Sequence, residues 1–270
     1  MHAQYRTKSF SNDELFETTR IRFVGGIVFL LMLILSVLIA AIWVYKWMGD
    51  EQSQPIAEMI ISGERFFTSD EDVRQALLAS GTLKTLMNQD INVLRTQIER
   101  LPWIKEVKLK KRWPNRLIIN IEEYKPYVRW NKNYHLDIDA NVFSIPAERT
   151  IKLPLAFLFG PDGKEKEALK GYMALQALFK NNQIVLMSAN MSDRYSWLLS
   201  VVLTTNGQHQ IVEVDLGRTD YIGRAQKFIN IFRELEKTPE VSQNIRRIDL
   251  RYETGAAISW HTPADMKDTQ

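Results

Sequence analysis

Asp137, Asp139 and Asn141 alternate along the chain and Glu148 follows eleven residues after Asp137. That is close to the oxygen-ligand order of a calcium loop, which also needs Gly at its sixth position for a sharp turn. Val142 stands there instead, and a β-branched residue between strand-like flanks resists that turn. An Asp- and Asn-rich hairpin turn explains the same letters, so no metal is expected. His2, His135, His209 and His261 are too scattered for a local zinc motif. No serine is followed at the third position by lysine, there is no G-x-S-x-G, no phosphate loop and no cysteine. Glu122 and Glu123 are neighbours, so in a strand they point to opposite faces and cannot share acid–base work. No catalytic residue, cofactor or small-molecule substrate is signalled by these letters, and on the residues alone a cell-wall hydrolase without a recognisable motif stays open.

The densest charge run is basic: Lys105, Lys108, Lys110, Lys111, Arg112 and Arg116, with Trp103 and Trp113 nearby. Such a run can grip nucleic acid, yet the whole chain carries 35 Lys+Arg against 32 Asp+Glu, a net +3. If the run lies outside the cell, an acidic partner, anionic lipid or a plain solvated face remain as its roles, and no nucleic acid is expected.

The segment from Phe23 to Tyr45 carries no formal charge. A bilayer core needs about 20 helical residues, so this segment is expected to span. A cleaved signal peptide is the rival, but its apolar region runs only about 7–15 residues and Leu38-Ile39-Ala40 is a poor cleavage site. Trp43, Tyr45 and Trp47 suit the headgroup level at one end. Arg6, Lys8, Arg20 and Arg22 before the span, against Lys46 and Arg65 after it, keep the N-terminus inside. Residues 1–22 then form a cytoplasmic tail, 23–45 the span, and 46–270 lie beyond the membrane.

A polar linker at 46–55 ends at Pro55. A first module is expected over 56–126. It opens with a strand at 56–61, followed by a helix whose capping box is Thr68-Ser69-Asp70-Glu71. A second helix is capped by Asp90 and carries Ile91, Leu94, Ile98 and Leu101 on one stripe before Pro102. Two period-two strands around Val107 and Ile119 are joined by a turn at Trp113-Pro114-Asn115-Arg116. A second unit over 127–261 is rich in strands, expected at 128–130, 134–137, 142–144, 155–159, 184–190, 197–204, 210–215, 245–252 and 256–260. Helices over 164–181 and 220–236 interrupt it, with Leu169, Tyr172, Gln176 and Phe179 on one stripe and Ala225, Phe228, Ile229, Phe232 and Leu235 on the other. A frayed tail is expected at 262–270. The fold class is therefore α+β: one N-terminal transmembrane helix, a β-α-α-β-β module, then a mixed, mostly antiparallel β domain with two helices.

The run LPWIKEVKLKKRWPNRLIINIEEYKPYVRW at 101–130 resembles the FtsQ/DivIB family of bitopic division proteins of Gram-negative bacteria. Ser62-Gly63-Glu64-Arg65, FSIPAERT at 143–150, Asp215-Leu216-Gly217-Arg218 and the C-terminal DLRYETGAAISW extend the resemblance over nearly the whole chain. It implies a non-enzymatic scaffold at the division septum, single-pass in the inner membrane with its C-terminal domains in the periplasm. It further implies that the first module is a POTRA domain contacting upstream division proteins, FtsK and septal wall synthases among them. The β domain would bind FtsB and FtsL and so link early and late septum assembly. Arg251, Tyr252, Glu253, Thr254, Gly255, Ala256 and Trp260 are the FtsB contacts carried over. Thr254 replaces an expected Ser and Glu253 an expected Asp, which bears on single contacts rather than on the strand. A weaker POTRA surface is placed at Glu106, Leu109 and Lys111.

The residues read by themselves agree in part. Ile248, Leu250 and Tyr252 alternate with Asp249, Arg251 and Glu253, so one face can pack while the other meets solvent. If this last element is a sheet edge it can accept a foreign strand, with Tyr252 and Trp260 as anchors and Arg251 forking to a carboxylate. An internal strand with Trp260 in the core fits the same periodicity. A POTRA-bearing secretion or outer-membrane assembly factor is the alternative function, but such proteins usually repeat the module or add a membrane barrel.

Overall fold

The computed structural model describes residues 12–49, 58–79, 81, 89–113, 115–150, 153–205, 208–237 and 244–261. Arg6, Lys8, Pro55, Ile56, Pro114, most of the expected linker and the expected tail at 262–270 lie outside the described residues. The chain falls into two compact units, Met1–Ser62 with Val73–Gln97 and Lys108–Asn120, and Gly63–Asp72 with Ile98–Val107 and Ile121–Gln270.

The first unit begins with α1 (Asn12–Gly49), which runs beyond the apolar segment on both sides because nothing in its flanks breaks a helix. Among the described residues it is the one helix long and apolar enough to cross a membrane, over Phe23–Lys46. Over 23–46 its apolar side chains are exposed all round, an arrangement that lipid tolerates and water penalises. After it, β1 (Glu58–Ser62) pairs in parallel with β3 (Arg116–Glu123), Glu58 opposite Arg116 and Ser62 opposite Asn120. An Arg116–Glu58 ion pair of 2.7 Å closes that ladder's start. Parallel strands need a long crossover. Here α2 (Asp70–Leu78), α3 (Ile91–Ile98) and β2 (Ile104–Arg112) lie between them, and the sheet order is β1-β3-β2. Val73, Leu77, Leu94, Leu109, Leu117 and Ile119 are buried, and Asp90 accepts from the Asn92 amide at 2.8 Å, as its capping role requires.

In the second unit the capping box of α2 sits one residue later than the sequence suggested. Ser69 and Asp72 form it: the Ser69 amide and hydroxyl donate to the Asp72 carboxylate at 2.7 and 2.6 Å, and the Asp72 amide donates to the Ser69 hydroxyl at 3.2 Å. Thr68 has other partners: its hydroxyl accepts from Trp103 Nε1 at 2.9 Å and its amide donates to Glu123 at 2.7 Å. Glu123, only 4% exposed, also receives the Phe66 and Phe67 amides at 2.7 and 3.0 Å. Its neighbour Glu122 faces solvent and pairs with Lys105 at 2.8 Å, so the two acids do lie on opposite faces. Within the same unit α4 (Ala147–Thr150) carries Arg149, which forks onto Asp72 at 2.8 and 3.0 Å, donates to the Phe67 carbonyl and lies over the Trp103 ring. That fork, with the capping bonds, holds the Asp72 carboxyl down at about 2.

The rest of the unit is one nine-stranded sheet. Its strands are β4 (Val128–Trp130), β5 (Tyr134–Leu136), β6 (Val142–Phe143), β7 (Phe157–Phe159), β8 (Val185–Met191), β9 (Trp197–Thr205), β10 (Gln208–Gly217), β11 (Ile245–Asp249) and β12 (Ala257–Trp260). Their order is β12-β11-β10-β9-β8-β7-β4-β5-β6. Five of the eight pairings are antiparallel. The parallel pairs β7–β8 and β10–β11 each enclose a helix, α5 (Glu165–Lys180) and α6 (Tyr221–Glu236). The expected stripes bury Leu169, Tyr172 and Phe179 on α5 and Ala225, Phe228, Ile229 and Phe232 on α6, and Phe179 meets Phe228 edge-on at 5.9 Å. Gln176 is half-buried and instead bonds Tyr127 and Tyr172 at 2.6 and 3.0 Å.

On the opposite face, one register row crosses every strand: Phe143, His135, Arg129, Phe157, Ser188, Ser200, Glu213, Arg247 and Ser259. Burial falls along it from Phe143 and His135 to the exposed Ser259. His135 is 5% exposed, stacks obliquely on Phe143, and neither of its ring nitrogens is hydrogen-bonded. Burial, then the nearby Arg129 charge, pushes its pKa below 6.5.

Two measurements test this packing. Glu123→Ala strands three amides, so in full-length protein it should lower stability by about 2–3 kcal/mol, roughly 5–10 °C in Tm; a melt within 2 °C of the parent, where roughly 2–4 °C per kcal/mol is the scale, would reject the clasp. The depressed His135 pKa means that the unfolded chain takes up a proton near 6.5 while the folded one resists it. Stability is therefore full above 6.5 and declines as pH falls below it. Subtracting the melt of His135→Leu at each pH should show that decline; parallel Tm–pH curves would contradict it.

Candidate partner-binding edge

The last ladder of the large sheet is antiparallel, with Ile248 opposite Ile258, Asp249 opposite Ala257 and Ile245 opposite Trp260. No strand lies beyond β12 among the described residues, so the side of β12 away from β11 is a sheet edge. Tyr252, 57% exposed, and Trp260, 47% exposed, flank it. Both are large rigid rings that can bury area at small rotamer cost.

The expected strand at 245–252 is shorter than its alternation suggested. It stops at Asp249, and 252–254 form a bend. The Leu250 amide still donates to the Asp215 carbonyl at 2.9 Å, continuing the parallel bonding to β10, and the Asp249 carboxylate then accepts the Arg251 amide at 3.0 Å, which turns the chain. Leu250 keeps the inward period of Ile248 and is buried, whereas Tyr252, past the turn, is exposed, so the two do not share a strand face. Arg251, Glu253 and Thr254 are exposed, whereas Gly255 and Ala256 are half-buried, Ala256 against the main core.

Arg251 is already occupied. Its guanidinium forks onto Asp249 at 2.6 and 3.0 Å and lies 3.5 Å from Asp215, a carboxylate that also receives Arg247 at 2.7 Å. These bonds raise the Arg251 pKa and hold that of Asp249 below the usual 3.8. The free fork that the sequence suggested is thus an internal clamp. Gly217 makes room for it: at φ +66° it is left-handed, and a Cβ there would sit 2.7 Å from Arg224 Nη1 and 2.9 Å from Arg251 Cγ. Asp215, Asp249, Arg224 and Lys227 shape this edge; residue order alone does not single them out for it, since the contacts that join them come from distant parts of the chain.

The weaker surface on β2 is partly withdrawn. Glu106 is exposed and Lys111 half-buried, but Leu109 is buried because it lies on the inward period of the strand. The Asp137 segment is a hairpin turn between β5 and β6, with the Asp137 carboxylate accepting the Asp139 and Asn141 amides at 2.9 and 2.8 Å. Among the described residues no three His, Cys, Asp or Glu side chains come together to hold a metal ion. Because Asp249 is depressed in the folded state, its stabilising contribution is present above 3.8 and lost as pH falls through the lower folded value. Carboxyl NMR titration should place its midpoint under 3.8 and return it to the ordinary range in Arg251→Met; an unmoved midpoint would show that the clamp is absent in solution.

Two family models match the chain. A POTRA domain of FtsQ type covers residues 54–124, and the C-terminal region of cell division protein FtsQ/DivIB covers 128–251, so 252–261 lie past the second match. Cell division protein FtsQ of Escherichia coli strain K12 is 38% identical over 91% of this chain and 87% of its own length. The protein of that name from Blochmanniella floridana is 34% identical over 80% and 79%, and that from Aliivibrio fischeri 32% over 87% and 88%. With the β-α-α-β-β module, the two-helix β domain and the apolar N-terminal helix already in place, these similarities show that the chain belongs to the FtsQ family of cell division proteins.

Proposed function

We propose that this chain is a non-enzymatic scaffold of the division machinery that takes a strand of FtsB onto β12, with FtsL in the same complex. The observation that carries the reading is the side of β12 away from β11, along which no strand lies among the described residues, with the exposed rings of Tyr252 before the strand and Trp260 at its end. Main-chain bonding along such an edge supplies affinity and the side chains next to it supply selectivity. Tyr252 and Trp260 are the anchors; Arg251, Glu253, Thr254, Gly255 and Ala256 frame the approach. The POTRA module, over 56–126, contacts upstream division proteins, FtsK among them, through β2, with Glu106 exposed and Lys111 half-buried there; the partner-binding domain spans 127–261. The excess of Lys and Arg before the span favours a cytoplasmic N-terminus and periplasmic C-terminal domains, joined by a linker at 46–55.

Pull-down of FtsB by the full-length protein tests the site. Tyr252→Ala with Trp260→Ala removes two anchors and should weaken capture roughly 100-fold or more, while Tm stays within a few degrees because both rings are exposed. Undiminished capture would discard the assignment. A fluorescent fusion should gather at the septum; even distribution around the envelope would contradict the division role.

A further inference from the structure

The loop joining β11 to β12 has little to hold it in its own backbone. Residues 251–254 are exposed, and among the described residues the carbonyls of Arg251, Glu253 and Gly255 receive no backbone N–H. A helix supplies the missing donors. Arg224 of α6 donates through Nη1 to the Leu216 carbonyl at 2.7 Å and through Nη2 to the Arg251 carbonyl at 3.3 Å. One turn on, Lys227 Nζ donates to the Glu253 and Gly255 carbonyls at 3.3 and 3.1 Å. The spacing i, i+3 puts both cations on one face of α6. Asp220 fixes the start of that helix by accepting the Gly223 amide at 3.1 Å, and Gly217 leaves space for the Arg224 head.

We propose that Arg224 and Lys227 are positioning residues for partner binding: a two-cation staple that presets the 251–255 loop, and with it the placement of Tyr252 and the start of β12. The inference rests on β12 being the FtsB site. An ammonium suits the task because it offers three donors and no acceptor, and so can meet two converging carbonyls at once. A loop held in its docking shape before the encounter loses less freedom on binding than one that must be ordered by the partner. Neither cation needs to touch the partner for this to matter.

The test uses full-length protein, the FtsB probe above, and three variants. Lys227→Met keeps the side-chain stem and removes the donors; Lys227→Arg restores them. For Lys227→Met we expect the backbone N–H order parameters of 251–256 to fall from about 0.85 to below about 0.6 while those of the sheet interior stay, and FtsB affinity to fall about tenfold. Lys227→Arg should recover both. Wild-type order parameters at 251–256 in Lys227→Met overturn the staple, as does unchanged affinity, or an Arg variant that fails as badly as Met. Trp260→Ala separates the two levels of the argument. If it leaves FtsB affinity intact, the site reading fails and with it the positioning role; if it abolishes binding while Lys227→Met does not weaken it, only the staple fails.

Discussion

Parallel pairing of β10 with β11 constrains everything that follows it in the chain. Two parallel neighbours cannot be joined by a tight turn, so the chain leaves the end of β10 and returns through α6 to the start of β11. The helix must then cover the sheet, which it does with Phe228, Ile229 and Phe232, and its flank overhangs the next connection. The β11–β12 loop is short of backbone partners at that point, and the cations of α6 are the groups within reach. β12 folds back antiparallel and ends the sheet. The candidate docking edge is therefore a by-product of one crossover, positioned by the same helix that closes the core.

Charged side chains in this protein serve the main chain more than one another. Glu123 receives three consecutive amides, Asp72 closes a helix cap and accepts the Arg149 fork, and Arg224 and Lys227 satisfy four carbonyls between them. A buried amide or carbonyl without a partner costs about 1–3 kcal/mol, whereas an exposed ion pair contributes about 0–1. Loss of one such carboxylate is thus felt more than loss of a surface pair such as Lys125–Glu64. Arg251 follows the same pattern. Its charge is spent on Asp249 and Asp215, so the groups this edge exposes are the backbone of β12 and the side chains beside it, Tyr252 and Trp260 among them.

The large sheet is asymmetric in a way that suits a scaffold. One face is closed by α5 and α6. The other is sealed only near β4, β5 and β6, where Arg129 lies over Phe157 and donates to the Thr150 carbonyl, and it is more open toward β12. Along the register row burial is greatest at one end of the sheet and exposure at the other. A strand added at β12 would extend a ladder whose register is already set by eight pairings behind it.

Much of this was legible from residue order. Period two marked β2 and β3, period 3.6 marked α5 and α6 to within a residue of their ends, and an uncharged stretch marked the apolar helix, because each pattern reflects burial of one face and burial is local to the element. Even the Asp137 turn could be told from a calcium loop by Val142. What stayed hidden depends on groups brought together from distant parts of the chain. Thr68 looked like a helix cap, but Ser69 and Asp72 close the box and Thr68 meets Trp103 and Glu123; Leu250 and Tyr252 looked like one strand face until the Asp249 carboxylate took the Arg251 amide and turned the chain between them; Arg251 looked free until Asp249 and Asp215 met it. Alternation along a strand says which side chains share a face, but it carries no information on whether another strand lies alongside. Only the closed set of hydrogen-bonded neighbours, a property of the folded sheet, makes β12 its edge.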